Sequence, residues 1–225
     1  MLVSHRREFV FVHIPRTGGG TVSRVLADYV DRPAPTPLLR ALRYWPFPRD
    51  PRRTLFSVHA TADHVRRRWP RETYERYFKF AFVRNPFSWL VSLFVRIGSS
   101  PRHRHHARVS RLSFPEYVRF EVERNRRHQH RYVCGLDGAL IVDFIGRLEE
   151  LGPDLSRVAE RLELPLQTAN LPRIGPRLYA PWPTFYDDAT RRAVERHWRR
   201  DLELFGYSFE SAAERLEKST PRASG

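Results

Sequence analysis

Three consecutive glycines separate an apolar segment from an amphipathic one near the beginning of the chain, and few folds accommodate that order. Residues 9–14 (FVFVHI) are apolar, aromatic or β-branched apart from one histidine, which predicts a buried strand. Residues 16–21 (RTGGGT) follow as a turn. Apolar side chains then recur with the spacing of one helix face, at Val22, Val25, Leu26, Tyr29 and Val30. Strand, glycine-rich turn and helix in immediate succession are typical of α/β proteins.

The remaining sequence alternates between short apolar segments and helical patterns. Further strands are predicted at residues 55–58, 78–83 and 139–145. Helices are predicted at residues 64–69, 86–97, 113–128 and 187–205, and another begins at Pro153. This alternation predicts an α/β fold, a single-domain parallel sheet flanked by helices. The domain is expected to span residues 1–218, with a disordered tail at 219–225.

The glycine-rich turn has the chemistry of a phosphate-binding loop. Free backbone N–H groups at the end of a strand face an anion, and glycines allow close approach and unusual φ values. Thr17 and Thr21 add hydroxyl groups, and Arg16 adds a fixed positive charge. A flexible turn without a ligand has the same composition, so the loop alone leaves both interpretations open. The GxxxxGK[ST] loop of kinases and the GxGxxG pattern of dinucleotide-binding proteins are absent, which disfavours ATP hydrolysis and hydride transfer.

A second candidate anion-binding element follows the strand predicted at residues 78–83. Arg84 stands at the end of that strand, just before a helix that Pro86 opens. Ser92 interrupts the apolar run about two turns into the helix, so both side chains are candidates for one further anion. The structural alternative for Ser92 is a core serine bonded to the carbonyl four residues earlier.

The balance of charges points to anionic ligands. Lys and Arg number 40 against 25 Asp and Glu, a formal net charge of +15. Only Lys79 and Lys218 are lysines, so the other 38 basic residues are arginines. The guanidinium fork suits bidentate contacts with phosphate or sulfate, although codon bias in a GC-rich gene produces the same skew.

Cysteine and histidine usage argue against a metal centre. Cys134 stands alone, which excludes a disulfide framework and a cysteine-based metal site. His103, His105 and His106 lie in an arginine-rich segment without acidic neighbours, so no metal site is expected there. The chain has no leader-type apolar core and no apolar run approaching about 18 residues, which predicts a cytoplasmic protein without a transmembrane segment.

Two segments, VHIPRTGGGT at 12–21 and FAFVRNPFSWLVSLF at 80–94, together resemble a pair of known signatures. They are similar to the nucleotide-binding signatures of sulfotransferases that use 3′-phosphoadenosine 5′-phosphosulfate (PAPS), most of all the carbohydrate-type and bacterial branch. The similarity continues in the family's order through residues 57–70, 142–151 and 186–209. The family's fold is a parallel α/β sheet with a phosphate loop, related to nucleotide kinases, and this agrees with the fold predicted from the pattern.

The resemblance implies a role for each matching position. The 5′-phosphosulfate of PAPS would be held by Arg16, Thr17, Gly18, Gly19, Gly20 and Thr21. Arg84 and Ser92 would hold the 3′-phosphate. Two departures stand out: Arg16 replaces the family's lysine, and Trp89 replaces an arginine usual in the second signature. Arg16 still carries a positive charge, but it is bulkier than lysine and does not readily release a proton.

The implied reaction is in-line transfer of a sulfuryl group from PAPS to a hydroxyl acceptor, without a metal because the phosphosulfate already has a good leaving group. Arg16 is expected to stabilise that leaving group. His59 is the predicted catalytic base, because it follows the strand predicted at 55–58 and an imidazole titrates near neutral pH. Capping of the next helix is the alternative role for His59. His64 is the second candidate, and His13 is expected to be a core residue.

The acceptor is predicted to be a carbohydrate or a related metabolite, with an anionic glycan or an anionic small molecule as candidates. Residues 96–131 hold ten Arg against three Glu, and this segment is predicted to steer such an acceptor. Acceptor-binding loops are expected at residues 33–54, 98–112 and 165–184. The competing hypothesis is a non-enzymatic protein that binds polyanions or nucleic acid through its basic surface. With both signatures assigned to a nucleotide, no nucleic-acid partner is expected.

Overall fold

Strands and helices alternate along the chain, as predicted. The computed structural model describes residues 1–31, 50–166, 168, 171 and 180–210. The strands are β1 (Leu2–Ser4), β2 (Phe9–Val12), β3 (Phe78–Val83) and β4 (Phe144–Arg147). The helices are α1 (Gly19–Val25), α2 (Ala62–Arg68), α3 (Arg71–Arg76), α4 (Pro86–Gly98), α5 (His106–Val109), α6 (Phe114–Arg124), α7 (His130–Val133), α8 (Leu151–Arg161), α9 (Asp188–His197) and α10 (Arg199–Phe205). Single 3₁₀ turns lie at Pro51–Arg53, Leu148–Glu150 and Trp182–Phe185.

The four strands form one sheet in the order β1-β2-β3-β4. β2 and β3 run parallel with Phe11 opposite Phe80, and β3 and β4 run parallel with Phe80 opposite Phe144. This confirms the predicted α/β class with parallel pairing. β1, which the sequence pattern did not predict, adds an antiparallel edge strand beside β2.

The chain divides into two compact units, and the sheet belongs to the first, Met1–Val83 with Arg131–Gly175. Aromatic side chains of β2 and β3 form its core together with apolar residues of α1 and α8. The fully buried members are Phe9, Phe11, Val22, Leu26, Phe80, Phe82, Leu155 and Val158. Each such side chain contributes roughly 1.5–3 kcal/mol on burial, so this core holds the strand ends and the loops that follow them in place.

The second unit, Arg84–His130 with Pro176–Gly225, is helical in its described part. α4 begins at Pro86 as predicted and is apolar on nearly every side, with nine of its residues buried. The Phe87 ring lies 5.0–6.0 Å, between centroids, from the rings of Trp182, Tyr186 and Phe209. α6 begins with the predicted capping box, in which the Ser113 N–H donates to Glu116 Oε2 at 2.7 Å.

The strand predicted at Leu55–Val58 is wrong. Residues 54–57 have no regular secondary structure, and Val58 and His59 form a turn. A strand needs a partner for its backbone groups, and β2 is already paired with β1 on one side and with β3 on the other. Val58 is 59% exposed, so its apolar side chain is not in the core at all.

Several other predicted elements differ in their bounds, and for two of them the structure gives a reason. The strand predicted at 139–145 begins only at Phe144, because Leu140 forms an isolated bridge with Cys134 instead of joining the sheet. The helix predicted from Asp187 to Phe205 is divided at Trp198, whose backbone (φ −101°, ψ 18°) is not helical. The Trp198 ring is fully buried, and its N–H donates to the Arg127 carbonyl. Gly206 ends α10 in the left-handed conformation, as predicted.

None of the helices in the described ranges is long and apolar enough to span a bilayer. The predicted tail at 219–225 and most of the loops expected at 33–54 and 165–184 lie outside the described residues. The segment expected to be a loop at 98–112 contains one helical turn, α5.

Candidate functional site

The loop between β2 and α1 turns through two residues with left-handed backbone conformations. Arg16 has φ 65° and Gly18 has φ 86°. A left-handed conformation costs a non-glycine residue roughly 1 kcal/mol, so Arg16 is held there by its surroundings. Thr17 is fully buried and its hydroxyl donates to the Ile14 carbonyl at 2.9 Å, which closes the loop on the end of the strand. Arg16 and Gly20 are exposed.

Gly18 is favoured by its left-handed conformation, and at both Gly18 and Gly19 a larger residue would meet a neighbouring side chain. A Cβ atom on Gly18 would lie 2.8 Å from Cδ1 of Leu148. A Cβ atom on Gly19 would lie 2.0 Å from both Cδ2 and Nε2 of His13. The imidazole of His13 therefore packs directly on the backbone of the loop, and only glycine fits at position 19 without moving that ring. The absence of Cβ atoms at 18 and 19 lets Leu148 and His13 pack against the loop, which keeps the tight turn that a phosphate-binding loop needs.

His59 lies beside the loop through its contact with His13. The two ring centroids are 4.8 Å apart in an edge-to-face arrangement. His59 Nδ1 is 2.9 Å from the His13 carbonyl oxygen, which can only accept a hydrogen bond. Nδ1 is therefore the nitrogen that carries the proton in the uncharged form of this exposed ring, and Nε2 then has a lone pair. This tautomer is the one that can take a proton from a substrate.

His13 itself is held neutral. Burial, together with the neighbouring His59, lowers the pKa of His13 to about 4. The ring is half-buried, stacks on Phe11 with centroids 5.7 Å apart, and belongs to the residue just after β2. The expectation of an ordinary core residue therefore missed its contact with the loop. No periodicity could have revealed it, because the contact joins two segments across a turn.

His64, the second candidate base, lies on the first turn of α2. Its backbone N–H donates to the side chain of Thr61, the residue that caps the helix. Its ring contacts Phe56 with centroids 5.8 Å apart. Burial, with the charges of Arg68 and Arg67, lowers the pKa of His64. His59, by contrast, does not cap α2, since Thr61 has that role.

Arg84 is the first residue of the second unit, and its side chain is ordered by a neighbour that the sequence analysis did not single out. Its Nε donates to Ser88 Oγ at 2.9 Å, and Ser88 Oγ donates to the Asn85 carbonyl at 3.2 Å. Ser92 lies one turn further along α4 and is 1% exposed. Ser88 and Ser92 lie one turn apart on the same face of α4, and the presence of a second serine four residues before Ser92 is the signal that could have revealed Ser88.

The backbone of Arg84 is held by a fully buried glutamine, Gln129. The Arg84 N–H donates to Gln129 Oε1 at 2.9 Å, and Gln129 Nε2 donates to the Arg84 carbonyl at 2.7 Å. Gln129 is anchored in turn by Asp201, whose Oδ2 accepts its backbone N–H at 2.8 Å. Both side chains are 0% exposed. Nothing in the sequence indicated this network, because its members are separated by 45 and 72 positions.

Within the described part of the chain, one group of side chains has the spacing of metal ligands. The candidate ligand atoms of His128, His130 and Asp201 lie within 4.8 Å of one another. Hydrogen bonds already engage the Asp201 carboxylate, which accepts from the backbone N–H groups of Gln129 and His130 and lies 2.6 Å from His130 Nδ1. This arrangement is that of a structural carboxylate, and the absence of a metal site stays a prediction.

The predicted site residues therefore lie in two places. The first unit holds residues 16–21 together with His13 and His59, and the second unit holds Arg84 with Ser88 and Ser92. That both sets bind one nucleotide stays a prediction.

A comparison with protein families shows the general class of the chain. A profile of the sulfotransferase family matches residues 1–208 of the chain. Among solved structures, the chain is similar to mouse sulfotransferase SULT7A1 complexed with PAP, at 13% sequence identity and a TM-score of 0.46. That similarity covers 89% of this chain and 85% of that chain. No curated protein sequence matches the chain.

Proposed function

The chain belongs to the sulfotransferase family, and on that premise we propose that it transfers the sulfuryl group of PAPS to a hydroxyl acceptor. The observation that carries the proposal is the β2–α1 loop with a histidine base beside it. The loop turns tightly through Arg16 and Gly18 at the end of β2, and His59 Nε2 has the lone pair that a general base requires.

We propose that each unit contributes one set of residues to binding of the donor. The 5′-phosphosulfate would be bound by Arg16, Thr17, Gly18, Gly19, Gly20 and Thr21. Since the Thr17 hydroxyl already donates to Ile14, Thr17 would contribute its backbone N–H. Arg84 and Ser92 would bind the 3′-phosphate, and we add Ser88, whose hydroxyl already orients the Arg84 guanidinium.

Arg16 and His59 would have different roles in the transfer. PAPS supplies an activated sulfuryl group whose leaving group is a phosphate. Arg16 remains charged at all relevant pH values and would stabilise the negative charge that develops on that leaving group. His59 Nε2 would accept the proton of the acceptor hydroxyl as the new S–O bond forms. The hydrogen bond from His59 Nδ1–H to the His13 carbonyl would keep the imidazole in the correct tautomer during the reaction.

We propose that the acceptor is a carbohydrate or a related metabolite. Anionic molecules are the candidates, because the net charge of +15 attracts them. The leaving group needs no further activation, so we propose that transfer requires no metal, and activity should persist in a chelator. A domain spanning 1–218 and a cytoplasmic location also stay proposals.

Calorimetry with 3′-phosphoadenosine 5′-phosphate (PAP) and with adenosine 5′-monophosphate tests the donor site. The protein should bind PAP more tightly, because only PAP has the 3′-phosphate. Arg84→Ala should weaken PAP binding about 10- to 100-fold and leave the monophosphate unaffected. Arg119→Ala, which removes the same charge from an exposed position, is the matched control. Equal affinity for the two nucleotides would contradict the proposal.

The +15 charge also supports a second candidate function, binding of polyanions or nucleic acid without catalysis. In that case PAP would not bind, and affinity for DNA would fall steeply as salt concentration rises. The same calorimetric series, repeated with duplex DNA, separates the two functions.

A further inference from the structure

A cluster of cationic side chains surrounds one aromatic ring in the second unit. The guanidinium carbon of Arg108 lies 4.4 Å from the centroid of the Phe120 ring, and that of Arg124 lies 5.0 Å from it. The His105 ring contacts the same ring with centroids 5.8 Å apart. Phe120 is 6% exposed, so its ring is a buried surface on which the side chains of Arg108, Arg124 and His105 pack.

The cluster has more positive than negative charge. Glu121 is fully buried and binds Arg124 through both oxygens, at 2.9 and 3.1 Å, and Arg127 at 3.0 Å. One carboxylate thus faces two guanidinium groups. Arg104 and Arg108 are exposed, and neither has a carboxylate partner among the residues that the structure describes.

Two imidazoles complete the cluster. The rings of His103 and His105 lie 5.7 Å apart, and the His105 backbone N–H donates to His103 Nδ1 at 3.2 Å. An Nδ1 that accepts a hydrogen bond leaves the proton of the neutral ring on Nε2, which is then a donor. His105 Nε2 is buried and has no hydrogen-bond partner in the described part of the chain. Burial, and then the charges of Arg124 and Arg104, lower the pKa of His105 to about 4. Burial also lowers the pKa of His103, and the charges of Arg127 and Arg104 add to this effect.

We propose that this cluster, formed by His103, Arg104, His105, Arg108, Arg124 and Arg127, is a binding site for an oxyanion group carried by a ligand other than the sulfuryl donor. Glu121 offsets only part of the charge of Arg124 and Arg127, so an added anion stabilises these guanidinium groups and the exposed ones of Arg104 and Arg108, and their planar forks match sulfate, phosphate-ester and carboxylate oxygens. A buried imidazole nitrogen without a partner adds a position for a hydrogen bond. The proposal goes beyond sulfuryl transfer and does not depend on it.

The ring-proton signals of His103 and His105 in the full chain provide a local readout. We expect inorganic sulfate to shift both signals saturably at constant ionic strength, whereas chloride leaves them in place. The exposed pair R104Q/R108Q should weaken sulfate binding about tenfold or more, because each substitution removes a charged donor. The control R111Q/R119Q removes the same charge from exposed positions of the same segment and should bind sulfate as the unmodified protein does. Equal thermal unfolding temperatures of the two variants would show that both fold.

Two ligands then distinguish the source of the oxyanion. A sulfated monosaccharide such as N-acetylglucosamine 6-sulfate should reproduce the sulfate shifts, whereas one equivalent of PAP should not, because the donor site takes it up. Equal shifts with chloride, unchanged sulfate binding in R104Q/R108Q, or displacement of sulfate by one equivalent of PAP would each overturn the proposal. PAP affinity in the unmodified protein is measured independently, so a failure of the donor site and a failure of this cluster give different results.

Discussion

Among individual residues, His59 has the clearest chemical assignment, because the His13 carbonyl determines its tautomer. His59→Ala should lower kcat by ~10²-fold or more, since the proton of the acceptor hydroxyl would lose its base. PAP affinity, measured by calorimetry, should change little. His64→Ala is the matched control, because His64 contacts Phe56 and should not reduce kcat. Full activity of His59→Ala would refute the assignment.

Gly19 tests whether the close packing of His13 on the loop matters. Gly19→Ala places a methyl group 2.0 Å from the His13 ring, so the ring or the loop must move. We expect the free energy of unfolding to fall by about 1–3 kcal/mol and PAP binding to weaken. In a double-mutant cycle with His13→Ala, the two substitutions should cost less together than the sum of their separate effects. Strict additivity, read from denaturant unfolding curves, would indicate that the two residues do not interact.

The low pKa of His13 predicts a pH-dependent stability. Its pKa is about 4 in the folded protein, against an ordinary value of 6.5. As the pH falls between these values, the unfolded chain takes up the proton first, so the free energy of unfolding decreases. Between pH 7 and pH 5 this residue should account for about 2 kcal/mol of that decrease. His13→Gln cannot take up this proton and should lose correspondingly less stability over the same interval in urea titrations.

Among the secondary-structure elements, the segment between α6 and α7 determines how α4 begins. Gln129 binds both backbone groups of Arg84, and Asp201 of α10 holds Gln129. Gln129→Met has a similar size but removes both bonds, so Arg84 should lose its fixed position. The ratio of PAP affinity to adenosine 5′-monophosphate affinity should fall about tenfold. His130→Ala removes one hydrogen bond to Asp201 but none to Arg84, so the ratio of affinities should stay unchanged. An equal loss of affinity for both nucleotides in Gln129→Met would show that Gln129 has a purely structural role.

Local pattern predicted some elements well and others poorly, for a common reason. The strand at 78–83 and the start of α4 were predicted correctly because apolar runs and Pro86 act within a few residues. Residues 55–58 have a suitable composition for a strand, but they do not pair with β2, because both sides of β2 are occupied by other strands. The division of the last helix depends on Trp198, which reaches Arg127 71 positions away. Pairing and burial of this kind are not visible in periodicity.

For the chain as a whole, the excess of arginine predicts how kcat/KM depends on the charge of the acceptor and on salt. With a net charge of +15, an anionic acceptor should be attracted over long distances, and salt should screen that attraction. The value of kcat/KM for an anionic acceptor should therefore fall as ionic strength rises, whereas that for a neutral acceptor should stay nearly constant. Equal activity on neutral and anionic acceptors at low and at high salt would show that the charge does not steer the acceptor.

The sequence alone determined the order of strand, glycine-rich turn and helix and the resemblance to a family. It also determined the positions of Arg16, Arg84 and Ser92. They depend on neighbours within about one turn or strand, where side-chain pattern and backbone chemistry act directly. Only the tertiary structure placed the His13 ring against Gly19, assigned the proton of His59 to Nδ1, and joined Gln129 to Arg84. Each of these is a contact between segments distant in sequence or joined through a turn, and such contacts exist only once the chain has folded.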